Sequence, residues 1–103
     1  MAFARTISIE VRPSVLDDVL GILSDKVLPV TQARAGSRGC SVLVDRSTGK
    51  VVVLTFWESQ DASRADDTGR IIQQQIAELS RFVTSVMLTE RFEVAFELSG
   101  PTA

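Results

Sequence analysis

The residues best placed to do chemistry gather at one point of this 103-residue chain, the run VVVLTFWES from Val51 to Ser59. Trp57 is the single tryptophan. Strand alternation puts Thr55 on the same face as Trp57, so a hydroxyl stands beside a large ring able to stack on a planar molecule. The plain alternatives are that Trp57 fills a core or an interface and that Thr55 is an ordinary β-branched strand residue. Glu58 follows at once. It can act as a general base only if burial raises its pKa; its plainer part is a solvated carboxylate at the positive end of a helix. Arg5 interrupts an apolar strand face between Phe3 and Ile7, which is costly for a buried unpaired charge. It is expected in water near the chain end, with a pocket cation as the other reading. Cys40 leads a strand and is expected as a small buried hydrophobe. Arg64 and Arg70 flank ADDTG and can pair with Asp66 or Asp67, but exposed pairs contribute little. Gln73, Gln74 and Gln75 suit a polar helix face.

Absences narrow the chemistry. The chain has no histidine and no tyrosine, and its sequence contains no asparagine. Nucleophilic triads that need histidine are therefore excluded. With one cysteine besides, nitrogen and sulfur sites for zinc, copper or heme iron are not expected. No loop spaces carboxylates for a calcium or magnesium site. Neither a cofactor nor a metal is therefore expected. A net charge of −2 gives no general attraction to nucleic acid or anionic lipid. No stretch nears the roughly 20 apolar residues of a membrane span, and the N-terminus lacks the pattern of a secretion signal. One cysteine fits a reducing compartment, so a cytoplasmic location is expected.

The elements that must position these residues follow from periodicity. FARTISIEV alternates with period two and predicts a strand. Ser14 with Asp17 predicts an N-cap, and Leu16, Val19, Leu20, Leu23 and Val27 then mark a helix that Pro29 ends or kinks. Residues 31–39 connect. CSVLVD (Cys40–Asp45) and VVVLTFW (Val51–Trp57), joined across RSTGK, predict a hairpin. A second helix follows, with Ser59 as cap, a bend at Thr68 and Gly69, and an apolar stripe of Ile72, Ile76, Leu79 and Val83. LTERFEVAFEL predicts a last strand to Leu98. One domain covers residues 1–103, with a folded core over 1–98 and a tail over 99–103.

The order β-α-β-β-α-β predicts an α+β, ferredoxin-like fold: an antiparallel sheet with both helices on one face. Yet the hairpin is apolar on both faces, Val51, Val53 and Trp57 against Val52, Leu54 and Phe56, with Leu43 beside them. An uncovered apolar face of that kind invites association. A homodimer with its sheets facing one another is expected.

The stretch RGCSVLVDRSTGKVVVLTFWES (Arg38–Ser59) resembles the antibiotic biosynthesis monooxygenase family. The likeness lies in a strand ending Asp-Arg, a glycine-containing turn and a strand ending Trp-Glu-Ser. ERFEVAFEL is similar to that family's last strand, and the likeness in element order runs over essentially the whole chain. The resemblance implies a dimeric α/β barrel with a pocket between sheet and helices, lined by the tryptophan ending the third strand, here Trp57. It implies a cofactor-independent monooxygenase acting on a small or polycyclic aromatic, quinol- or anthrone-like, with Trp57, Thr55 and Glu58 at the substrate. The asparagine, histidine and tyrosine that such enzymes use are missing. That disfavours the family's heme-degrading branch and supports the alternative, a non-enzymatic ligand-binding or regulatory dimer on the same fold.

Overall fold

The computed structural model describes residues 2–67, 74, 77–98 and 100. Strand β1 (Phe3–Glu10) leads into a 3-10 turn (Pro13–Val15), helix α1 (Leu16–Ile22), a wide π-type turn (Leu23–Val27) and helix α2 (Leu28–Gln32). The hairpin of β2 (Ser37–Asp45) and β3 (Lys50–Trp57) follows, then helix α3 (Gln60–Asp67), helical residues 77–80, and β4 (Leu88–Glu93). The sheet order is β2-β3-β1-β4 with every neighbouring pair antiparallel. This is the ferredoxin-like α+β arrangement expected from the element order. No helix among the described residues is long and apolar enough to cross a membrane.

Register sorts the side chains. Phe3 faces Trp57, Arg5 faces Thr55, Ile7 faces Val53 and Ile9 faces Val51 across β1 and β3. Ile9, Val51 and Val53 are buried against Leu16, Val19, Leu23, Val27 and Leu79. The opposite face stays open in the protomer: Val52, Leu54 and Phe56 are half-buried, and Leu43, Leu88 and Phe92 are exposed. Two-sided apolarity in β3 thus has a simple origin, one face under helices and one face bare.

Several local expectations change. Ser14 is not a cap: the first turn begins at Pro13, and neither Arg12 nor Val15 makes a side-chain capping bond. Proline's fixed φ starts the turn at Pro13, two residues sooner than a Ser14 cap would. Pro29 does not end the helix, since it lies in the first turn of α2, directly after the wide turn. A helix passing a proline loses a hydrogen bond and meets a clash with the carbonyl four residues back, and a wider turn there is a known way to absorb both. It also keeps Leu23, Val27 and Thr31, spaced by four, on one buried face. Strand β2 begins at Ser37, three residues before Cys40, through an irregularity between Ser37 and Gly39. Strand β4 stops at Glu93 because its partner β1 begins there, Phe3 facing Glu93. Beyond it Phe96 and Leu98 are more than nine-tenths exposed, at 93% and 94%. Ser59 does cap α3, its hydroxyl accepting from the Ala62 N–H at 3.1 Å. In the second-helix stripe, Leu79 is buried and Val83 pairs with Val11 in an isolated bridge. Thr68, Gly69, Arg70, Ile72, Gln73, Gln75 and Ile76 lie outside the described residues.

The hairpin turn carries two testable features. Gly49 has φ +80° and donates to the Asp45 carbonyl at 2.8 Å while its own carbonyl accepts from Val11 N–H at 2.9 Å. A Cβ there would lie 1.9 Å from the Val11 carbonyl oxygen, a backbone atom that cannot step aside. Gly49→Ala is expected to cost about 3 kcal/mol; a urea-unfolding stability within about 0.5 kcal/mol of wild type would contradict it. Asp45 accepts from the Ser47 hydroxyl at 2.6 Å and from the Ser47 N–H at 3.0 Å. These bonds favour the ionised form, the hydroxyl most, and hold its carboxyl below the ordinary value. A depressed folded pKa gives the turn stability that is present above the unfolded value of about 3.9 and lost as pH falls through the folded one. The Ser47 amide should titrate in NMR with a midpoint below about 3.9, rising in Ser47→Ala. An unchanged midpoint in that variant would refute the assignment.

Candidate functional site

The site lies between the helix-covered face of the sheet and the wide turn. Arg5, Ile7 and Ile9 from β1 and Val53 from β3 form one wall of a cavity; Leu23, Val27 and Thr31 form the other, closed by Leu79 and Met87. The void is about 20 Å³, room for about one water molecule. Among the described residues its lining is apolar apart from Arg5 and Thr31, and no carboxylate of theirs reaches it.

Arg5 is the outcome that departs most from expectation. Its side chain is not in water: the residue is 2% exposed and borders the cavity. The guanidinium carbon sits 5.5 Å from the centroid of the Trp57 ring, within range for a cation–π interaction that strengthens as water is excluded. Trp57 is fully buried and its indole N–H donates to Thr55 Oγ1 at 2.9 Å. Thr55 Oγ1 in turn donates to the backbone carbonyl of Arg5 at 3.3 Å. A relay of Trp57, Thr55 and Arg5 thus ties two adjacent strands together beneath the cavity. Period-two alternation builds it, since Thr55 and Trp57 share a face and Arg5 is the cross-strand partner of Thr55.

Trp57 and Thr55 do not themselves border the void; they support the residue that does. Glu58 lies apart from it, exposed at the start of α3, with its N–H donating to the Gly36 carbonyl at 2.8 Å. Gly36 has φ +84°, and a Cβ there would meet Ala62 Cβ at 2.6 Å and Glu58 Cγ at 3.2 Å, so glycine lets this loop close onto α3. Cys40 is half-buried opposite Thr55. Arg64 and Gln74 are exposed. Among the described residues, no group of three or more histidine, cysteine or carboxylate side chains is placed to share a metal ion.

The void as it stands has room for about one water; what the site offers chemically is a guanidinium able to stabilise a negative or partly negative oxygen brought beside Arg5. A guanidinium donates hydrogen bonds and cannot remove a proton. In a dry cavity its charge acts on an anion far more strongly than it would in water. The sequence signal for this cation was the break in the alternation of β1, a charge at a position where the pattern demands an apolar residue.

No family model matches the sequence. An uncharacterized protein of Mycobacterium tuberculosis (strain H37Rv), Rv2558, is 35% identical over 65 residues, 63% of this chain and 28% of the relative. The chain therefore matches less than a third of that relative's length. Among solved structures, an antibiotic biosynthesis monooxygenase superposes with TM-score 0.76 at 12% identity, over 88% of this chain and 96% of the other. The cofactor-independent oxygenase SnoaB of Streptomyces nogalater superposes with TM-score 0.77 at 15% identity, over 96% of this chain and 98% of the other. At such identities the likeness is one of fold, and the fold is that of the antibiotic biosynthesis monooxygenases.

Proposed function

We propose that this chain is a cofactor-independent monooxygenase for a small aromatic, quinol- or anthrone-like, that works as a homodimer. The observation that carries this reading is Arg5, a buried cation at the edge of an apolar cavity, on a fold shared with a named cofactor-independent oxygenase. Such a substrate supplies every electron the reaction needs. Loss of a proton to water gives a carbanion or phenolate, whose charge Arg5 stabilises. One electron passes to O₂, the resulting radical pair joins as a hydroperoxide anion, and protonation followed by loss of water leaves a quinone carbonyl. One oxygen atom enters the product and the other leaves as water. Arg5 holds the developing oxyanion, Thr55 and Trp57 hold Arg5, and the apolar walls keep out all but the water that takes the proton.

The resting void takes about one water, so a ring enters only if the helix side gives way. The wide turn at Leu23–Val27 and the adaptable Met87 side chain are the parts suited to that. Oxygen uptake with a panel of anthrones and quinols tests the proposal: saturable acceleration over autoxidation is expected. A second reading, binding without turnover, is favoured by the guanidinium that borders the cavity, which donates hydrogen bonds and cannot remove a proton. Saturable binding with no oxygen uptake across the panel would select it.

For the dimer, the open face of Val52, Leu54, Phe56, Leu43, Leu88 and Phe92 supports sheet-to-sheet pairing. Sedimentation at micromolar concentration should return twice the chain mass. Phe56→Asp should weaken the dimer by at least about tenfold, since it would bury an unpaired charge. A single-chain mass for the wild type would overturn the dimer.

A further inference from the structure

At the opposite end of β1 from Arg5, an open depression of about 310 Å³ is lined by Arg12, Val15, Arg81, Phe82, Val83 and Thr84. None of these residues lines the cavity at Arg5. Its floor is firmly tied. Val11 and Val83 form a bridge, and Thr84 donates to the Glu10 carbonyl through both its N–H, at 2.8 Å, and its hydroxyl, at 3.2 Å. Arg81 lies over the Phe82 ring, 4.8 Å from its centroid, which holds the guanidinium against an apolar support. Arg12 reaches the same depression from the residue before the first helical turn. Both arginines are exposed, and neither takes part in the ion pairs Lys26–Glu78 and Arg46–Asp17. Among the described residues no carboxylate lines the depression, although the chain as a whole carries a net charge of −2.

Arg12 and Arg81 both line this polar hollow, and like charges beside one hollow are favoured by an anion bound there. Their planar forks match the oxygens of a phosphate, which one arginine can grip with two parallel bonds. The Thr84 hydroxyl proton is already committed to Glu10, so recognition would rest on the two arginines. We propose that this depression is a binding site for a phosphate group, free or carried as a monoester, bridged by Arg12 and Arg81. A ring attached to the phosphate would have the Arg81–Phe82 stack to lie against.

Titration with inorganic phosphate, followed in NMR by the arginine side-chain N–H signals at constant ionic strength, tests this directly. Saturable shifts of Arg12 and Arg81 are expected, with none from matched sodium chloride. Arg12→Gln and Arg81→Gln should each weaken phosphate binding at least about tenfold. Both sites are exposed, so unfolding midpoints should stay at the wild-type value and verify the fold. Phenyl phosphate binding more tightly than inorganic phosphate would identify an ester-borne group, and equal affinity the free ion. Shifts that chloride reproduces, or phosphate affinity unchanged in either variant, would overturn the site.

Discussion

Replacing Arg5 with methionine is expected to cut oxygen uptake on responsive anthrones and quinols by about 100- to 1,000-fold, the usual loss when one oxyanion donor is removed. Arg5 is 2% exposed and has a partner in the fold, and removing one member of a buried pair destabilises by itself, so the rate is read beside a urea-unfolding midpoint that verifies the fold. Arg5→Lys keeps a cation but loses the planar fork and its stacking on Trp57, so it should recover only part of the rate. The order wild type, lysine, methionine would separate a charge that acts on the substrate from a side chain that merely packs. A methionine variant with the wild-type rate would remove Arg5 from the reaction.

Trp57→Ala is expected to cost about 3–5 kcal/mol, the range for deleting a large buried aromatic side chain. Trp57 is fully buried, and a chain of this size has only about 5–15 kcal/mol of stability in all. The variant should therefore unfold at much lower urea, read by circular dichroism. Trp57→Phe retains most of the volume and forfeits the 2.9 Å bond to Thr55, at a cost of about 1 kcal/mol. It should stay folded and bind substrate several-fold more weakly, because Arg5 loses its best aromatic support. Wild-type stability in the alanine variant would contradict the geometry at the base of the cavity.

How far the sequence could be read depends on which interactions are local. Period-two and helical spacing located all four strands and the core positions Leu16, Val19, Leu23, Val51 and Val53, because burial imposes those periods directly. The Ser59 cap was legible for the same reason, since donor and acceptor lie three residues apart. Ser14 failed as a cap because Pro13 competes for the same helix start. The short β4 was hidden because its end is set by where its partner begins, Phe3, a non-local limit. Arg5 could be flagged but not placed: its burial depends on Trp57 and Thr55 from another strand. Thr55 and Trp57 were visible as neighbours on one face, whereas their hydrogen bond, and its direction toward Arg5 instead of a ligand, requires the register of β1 against β3.

The most direct test of the oxygenase reading follows the oxygen atoms themselves. A responsive anthrone is turned over under isotopically labelled O₂ in unlabelled water, with a no-protein control, and the quinone is analysed by mass spectrometry. One labelled oxygen atom in each product molecule, uptake of one O₂ per substrate and no accumulation of hydrogen peroxide are expected. Unlabelled product, stoichiometric peroxide, or a rate no faster than the control would contradict the oxygenase reading.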